Sequence, residues 1–166
     1  KRGDIGNTGL HYANAFFNHF NCDAITVSPY MGEESIEPFI SNPSKGAYVL
    51  CRTSNKSSTF IQADIYSKVI SLCEALNNQQ NIGLVVGATN DDALMKVRNS
   101  TDLPFLIPGI GAQGGDLQSV LKINEKNMDT TLINVSRGII FSGNKDHDSI
   151  RNSAKQYLNQ IRGLNG

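Results

Sequence analysis

Ile107-Pro-Gly-Ile-Gly-Ala-Gln-Gly-Gly-Asp116 is the end of a short apolar run that breaks into four glycines and then opens a helix. Gly109, Gly111, Gly114 and Gly115 allow a backbone to approach a ligand closely. Their N–H groups are suited to cradling an anion, and a helix N-terminus is expected at about Asp116. Gln113 offers an amide N–H. Arg137, one strand further on, offers a planar fork for two phosphate oxygens. A phosphate site made by the loops after the last two strands is a barrel feature. Taken alone, the same residues are a glycine-rich turn and an exposed arginine.

On both sides of this stretch, short apolar runs alternate with amphipathic ones. Leu10, Ala13, Phe17 and Phe20 recur at helical spacing after Thr8. Strands are expected at 23–28, 47–53, 82–88, 104–107 and 130–135. Helical faces are marked by Val69, Leu72, Cys73 and Leu76, by Ala93, Leu94 and Val97, by Leu117, Val120 and Leu121, and by Ile150, Ala154, Tyr157 and Ile161. A short helix is expected at 36–40. The strand at 82–88 is apolar on both parities, as in a strand buried on both faces. Strands alternating with helices imply right-handed crossovers and a parallel sheet, which fits either a doubly wound open sheet or part of a barrel. No Gly-x-Gly-x-x-Gly opens the first helix, so a dinucleotide fold has little support. Residues 53 to 64 read as a long polar connection and a candidate substrate loop.

The chain has 166 residues, 39 % of them hydrophobic and 18 % charged, enough for one ordinary domain with a core. It is short of the about 250 residues of a complete eight-stranded α/β barrel. Fifteen basic and fifteen acidic residues balance, which argues against a dedicated nucleic-acid binder. No apolar run approaches the roughly 18 residues of a membrane span. Cys22, Cys51 and Cys73 form no CxxC pair and lie in apolar surroundings, as expected for reduced and buried thiols of an intracellular protein, with a cytoplasmic location. The histidines show no zinc-ligand spacing with them.

Ligands of parallel α/β folds gather at the carboxyl ends of strands. The residues at those positions are Ser28, Pro29 and Tyr30, then Thr53, Ser54 and Asn55, then Thr89, then Pro108 to Asp116, and last Ser136, Arg137 and Gly138. The opening Lys1-Arg2-Gly3-Asp4 precedes a helix with no strand before it, so a strand is expected upstream. Read alone, Lys1 and Asp4 fit a solvated helix start, in which Asp4 favours the helix N-terminus.

Four ordered stretches together resemble the orotidine 5′-phosphate decarboxylase family. They are Lys1-Arg-Gly-Asp-Ile-Gly-Asn-Thr8, similar to the second half of an Asp-x-Lys-x-x-Asp signature, then Val49-Leu-Cys-Arg-Thr-Ser-Asn55, Ile107 to Asp116, and Asn134-Val-Ser-Arg-Gly138. The resemblance implies an α/β (β/α)8 TIM barrel, of which residues 1–166 supply about the last five strand–helix units as a partial barrel domain. The N-terminal remainder, with the Asp two residues before the catalytic Lys, lies outside these residues.

The implied reaction removes CO2 from orotidine 5′-phosphate to give UMP in pyrimidine biosynthesis, with no metal and no organic cofactor. Lys1 is implied as the proton donor to the carbon that loses carboxylate. A carbanion with no adjacent electron sink needs a fixed cation facing it, and an ammonium supplies both charge and proton. Asp4 is implied to hold that ammonium charged. The family is a homodimer, in which Asp4, Ile5 and Thr8 would reach the neighbouring site. Ser54 matches the position that bonds the pyrimidine, and Pro108 lies beside the base-binding backbone. Gln113, Ser136 through its N–H, and Arg137 match the phosphate grip. Two other readings compete: a Mg²⁺-dependent sugar-phosphate decarboxylase or synthase on the same barrel, and a non-catalytic nucleotide-binding fragment. A fusion to a phosphoribosyltransferase is also compatible with the sequence.

Overall fold

The computed structural model describes residues 3–111 and 113–163. Five strands carry the fold: β1 (Ala24–Val27), β2 (Gly46–Arg52), β3 (Ile82–Val86), β4 (Phe105–Pro108) and β5 (Thr131–Asn134). They pair in parallel in the order β1-β2-β3-β4-β5. That order decides between the two open architectures. A doubly wound sheet needs a point where strand order reverses. Here every strand lies beside its successor in sequence, so right-handed crossovers carry all the helices to one face. The sheet is the wall of a barrel.

The helices on that face are α1 (Gly6–Asn14), α2 (Glu37–Ile40), α3 (Thr59–Leu76), α4 (Asp91–Arg98), α5 (Leu117–Ile123), α6 (Arg137–Ile140) and α7 (His147–Ile161). Alternate strand residues meet them in one continuous core. Ile25 and Val27, Ala47 and Val49, Ile82, Leu84 and Val86, and Phe105 and Ile107 pack with Val69 and Cys73 of α3, Leu94 and Val97 of α4, and Leu117 and Val120 of α5. The other parity forms the concave face. Leu50, Val85, Leu106 and Leu132 stand in register across β2 to β5. Val85 is 2 % exposed at the centre, and Leu132 is 53 % exposed on the edge strand. The ring of Tyr48 lies over Gly83 on this face, and burial raises its phenol above the ordinary value.

Away from the strand ends that carry the loops, Arg98 is buried as a structural strut. Its guanidinium stacks 3.4 Å from the centroid of Phe105. Its Nε donates to Asn124 Oδ1 at 2.9 Å, and its Nη1 donates to the Thr101 and Leu103 carbonyls. Burial pulls its pKa down to about 10, against the opposing charge of Asp102.

Three local expectations are corrected. Leu10 and Phe20 are exposed, while Gly9, Ala13 and Phe17 face inward. For Phe20 the cause is a π-turn over Ala15–His19, which adds a residue to the turn and rotates it out of register, while Leu10, before that turn, lies on the exposed side of α1. Most of the connection at 53–64 is helical: a 3₁₀ turn at Lys56–Ser58 runs into α3 at Thr59, which leaves Thr53 to Asn55 as the loop. Cys22 is only half-buried, whereas Cys51 and Cys73 are buried, and all three are free thiols. Among the described residues, no helix is long and apolar enough to cross a membrane.

Candidate active site

The site is assembled at the carboxyl rim of the sheet. On β2 the register against β3 slips between Leu50 and Arg52. The extra residue turns both Cys51 and Arg52 toward α3: the Cys51 thiol donates to the Tyr66 carbonyl, and the Arg52 guanidinium lies 5.8 Å from the Tyr66 ring centroid. Bulges of this kind re-aim the residues that follow. Thr53 is then anchored to α3, its N–H donating to Gln62 Oε1 at 2.8 Å and its hydroxyl accepting from Gln62 Nε2 at 3.0 Å.

Ser54, next along, is held from three directions. The Thr89 hydroxyl donates to its carbonyl at 2.9 Å. Its own hydroxyl donates to Gln113 Oε1 at 2.6 Å, across 59 positions of sequence. Gly87 makes room for it, because a Cβ there would stand 2.8 Å from the Ser54 nitrogen. With Oε1 occupied by Ser54, the amide N–H groups of Gln113 are the face it can offer to an anion. An open cavity of about 350 Å³ lies here, lined by Arg52, Thr53, Ser54, Asn55, Thr89 and Gln113 among others. A neighbouring cavity of about 380 Å³ shares Arg52, Asn90 and Ala93 with it but runs back between α3 and α4. The Ser54–Gln113 contact, not volume, makes the first the candidate site.

The glycine-rich loop differs from the expected cradle. Gly109, Gly111 and Gly114 do take positive φ, at 104°, 72° and 90°. However, three of the N–H groups are used inside the loop: Gly111 donates to the Gly115 carbonyl, Gly114 to the Gly111 carbonyl and Gly115 to the Gly109 carbonyl. The helix end is also occupied, since Asp116 caps α5 by accepting from the Ser119 N–H at 2.9 Å. Those hydrogen bonds hold the Asp116 carboxyl below its usual range. The loop is thus a closed turn that presents Gln113, and those three amides are already spent on its own carbonyls.

Pro108 ends β4, and its carbonyl accepts from the Ala88 N–H at 2.9 Å. Ser136 and Arg137 follow β5, exposed, with Arg137 as the first residue of α6. The Ser136 hydroxyl accepts from Asn134 Nδ2 at 3.4 Å. At the other end of the sheet, Gly3 lies against the exit of β1, where a Cβ would stand 2.6 Å from the Ser28 carbonyl oxygen. Asp4 therefore enters on the same rim as Ser54, and its Oδ1 accepts from the Ile5 N–H at 2.9 Å. Ile5 and Thr8 are exposed. Lys1 lies outside the described residues. Thr89 and Gln62, which hold the Ser54 loop, were not singled out by the sequence. Thr89 shows there only as the residue after a strand, and Gln62 falls in the stretch read as loop.

Comparison with known proteins places this arrangement. The model of the orotidine 5′-phosphate decarboxylase / HUMPS family matches residues 1–149. The chain is 43 % identical to the orotidine 5′-phosphate decarboxylase of Dehalococcoides mccartyi strain CBDB1, over 97 % of this chain and 65 % of that protein. It superposes on Leishmania donovani OMP decarboxylase with a TM-score of 0.89 and 40 % identity, covering 99 % of this chain and 66 % of that one. Leishmania donovani UMP synthase aligns with a TM-score of 0.86 and 41 % identity, over 99 % of this chain and 38 % of that one. The chain thus spans less than two thirds of the length of the curated decarboxylases it matches, 65 % in Dehalococcoides mccartyi and 56 % in Natronomonas pharaonis. With its sequential parallel strands, its rim residues and these likenesses, the chain belongs to the orotidine 5′-phosphate decarboxylase / HUMPS family.

Proposed function

We propose that the chain carries the base- and phosphate-recognition half of an orotidine 5′-phosphate decarboxylase site, and that it acts within a complete barrel to convert orotidine 5′-phosphate to UMP and CO2. The observation that carries this reading is the 2.6 Å hydrogen bond from Ser54 to Gln113. It ties a residue suited to a pyrimidine edge to one suited to a phosphate, so one bound nucleotide monophosphate would touch both. Arg137 and the Ser136 N–H complete the phosphate grip, and Pro108 flanks the base.

In this reading the scissile carboxylate leaves as CO2 and its electron pair stays on the ring carbon. The Lys1 ammonium then gives that carbon a proton. Asp4 keeps the ammonium charged, and a further carboxylate comes from barrel strands outside residues 1–166. Binding energy at the phosphate, remote from the reacting carbon, organises the site in the transition state. Residues 1–166 act as one partial barrel domain whose concave face is covered by the N-terminal strands. The protein works in the cytoplasm as a homodimer, with Asp4, Ile5 and Thr8 reaching the neighbouring site and no metal or organic cofactor required.

The test is absorbance-monitored decarboxylation of orotidine 5′-phosphate by the chain combined with the N-terminal third of a relative, with and without EDTA. Turnover unaffected by the chelator is expected. Turnover of a sugar phosphate that EDTA abolishes would replace this reading with the Mg²⁺-dependent one. UMP binding without turnover would leave a nucleotide-binding fragment.

A further inference from the structure

We infer that Tyr157 is a positioning residue of the phosphate grip: its hydroxyl sets how closely the loop bearing Gln113 stands to the loop bearing Arg137. The inference rests on the reading of those two residues as phosphate ligands. Tyr157 lies on α7, half-buried and packed against the core. A Cβ at Gly111 would stand 2.8 Å from its Oη, and a Cβ at Gly138 would also stand 2.8 Å from the same oxygen. One atom therefore abuts both loops, two residues from Gln113 on one side and one residue from Arg137 on the other.

The two glycines have different reasons to be glycine. Gly111 has φ of 72°, a conformation that demands glycine whatever surrounds it. Gly138 has no such φ and sits inside α6, where alanine is the better helix former. What a side chain at 138 would meet is the Tyr157 oxygen, with Val135 Cγ1 at 3.3 Å beside it. The same helix grips Gly138 a second time. Ser153, one turn before Tyr157 on α7, donates its hydroxyl to the Gly138 carbonyl at 2.9 Å. Helix α7 thus fixes the backbone next to Arg137 by a hydrogen bond and a hard contact four residues apart, and the hard contact is shared with the Gln113 loop.

The experiment is UMP and uridine titration by calorimetry on the chain combined with the N-terminal third of a relative, with thermal melting of each variant. Gly138→Ala pushes the loops apart and is expected to weaken UMP binding about tenfold, because a methyl forced into filled space displaces its neighbours. Tyr157→Phe removes only the oxygen and is expected to weaken UMP about threefold with an unchanged melting temperature, as for one lost contact. Uridine, lacking the phosphate, should be bound alike by parent and variants. Adding Tyr157→Phe to Gly138→Ala should restore UMP binding to within about threefold of the parent, because the methyl then has room. A double variant as weak as Gly138→Ala, or a Tyr157→Phe protein that binds UMP like the parent, would overturn the assignment. If Gly138→Ala does not fold, the Tyr157→Phe result alone decides. A parent barrel that binds neither UMP nor uridine would instead remove the phosphate-site reading, and the role of Tyr157 with it.

Discussion

The two faces of the sheet are built from the same strands and are finished to different degrees. On the helix side, Val27, Val49, Leu84, Val86, Phe105 and Ile107 are completely excluded from solvent. On the concave side, one register layer runs from Val85, 2 % exposed, to Leu132, 53 % exposed. A parallel sheet is ordinarily covered on both faces. The contrast teaches that the residues that stabilise this chain are separate from those proposed to bind a ligand. The helix face holds the strands in place, and the rim and concave face carry the residues proposed to meet substrate and the rest of the barrel.

The largest expected effect tests that separation. Phe105→Ala empties a site packed between the core and the Arg98 guanidinium and should destabilise the chain by about 3–5 kcal/mol. Leu132→Ala, on the same sheet but the other face, should cost less than about 1 kcal/mol in the isolated chain, because little apolar surface is withdrawn from water there. Urea unfolding of both variants checks the pair. Equal losses would mean that the concave face is as fully covered as the helix face.

Next in size is Arg137→Ala, which should leave stability unchanged, since the side chain is exposed, and weaken recognition. In the complete barrel kcat/KM should fall by about 2–4 kcal/mol if the phosphate is well desolvated. Unaltered kinetics would remove Arg137 from the site. A smaller, more specific effect is expected for Ser54→Ala and Gln113→Ala. Their joint effect on UMP affinity should differ from the sum by about 0.5–3 kcal/mol, because they share one hydrogen bond. Strict additivity would show that the 2.6 Å contact has no part in binding.

The same contrast governs what the sequence could reveal. The strands were legible because the helix face needs apolar residues at every second position, and at Ile82–Val86 both parities are apolar. The start of α3 was not legible. Its first turn exposes Phe60 and Ile61, at 87 % and 51 %, so no inward stripe marks where the helix begins. Four-residue α6 is shorter than the window over which a helical period can be read. Residues of the rim could be put forward one by one, through resemblance at Ser54, Gln113 and Arg137. That Ser54 touches Gln113 was not legible, because the contact depends on β2 and β4 flanking β3. The internal hydrogen bonds of the glycine loop were hidden for a related reason. A run of glycines shows that a backbone is free to turn, but not that its N–H groups will be satisfied by its own carbonyls.

The smallest effect concerns the helices that cover the finished face. Three of them begin with a side chain accepting a backbone N–H: Asn90 from Ala93 at α4, Asp116 from Ser119 at α5 and Asp146 from Ser149 at α7. The asparagine does not titrate. Hydrogen bonds from the helix backbone hold both aspartates below the ordinary carboxylate value in the folded chain. A group whose folded pKa is depressed contributes stability above its unfolded pKa and loses it as the pH falls through the folded one. The caps of α5 and α7 should therefore weaken below about pH 3.8, while that of α4 persists. Asp116→Asn combined with Asp146→Asn keeps a capping oxygen at both positions. It should flatten the acid limb of the stability curve below that pH and leave the neutral melting temperature nearly unchanged. An acid limb as steep as the parent's would move the titration elsewhere, to carboxylates outside the helix cover.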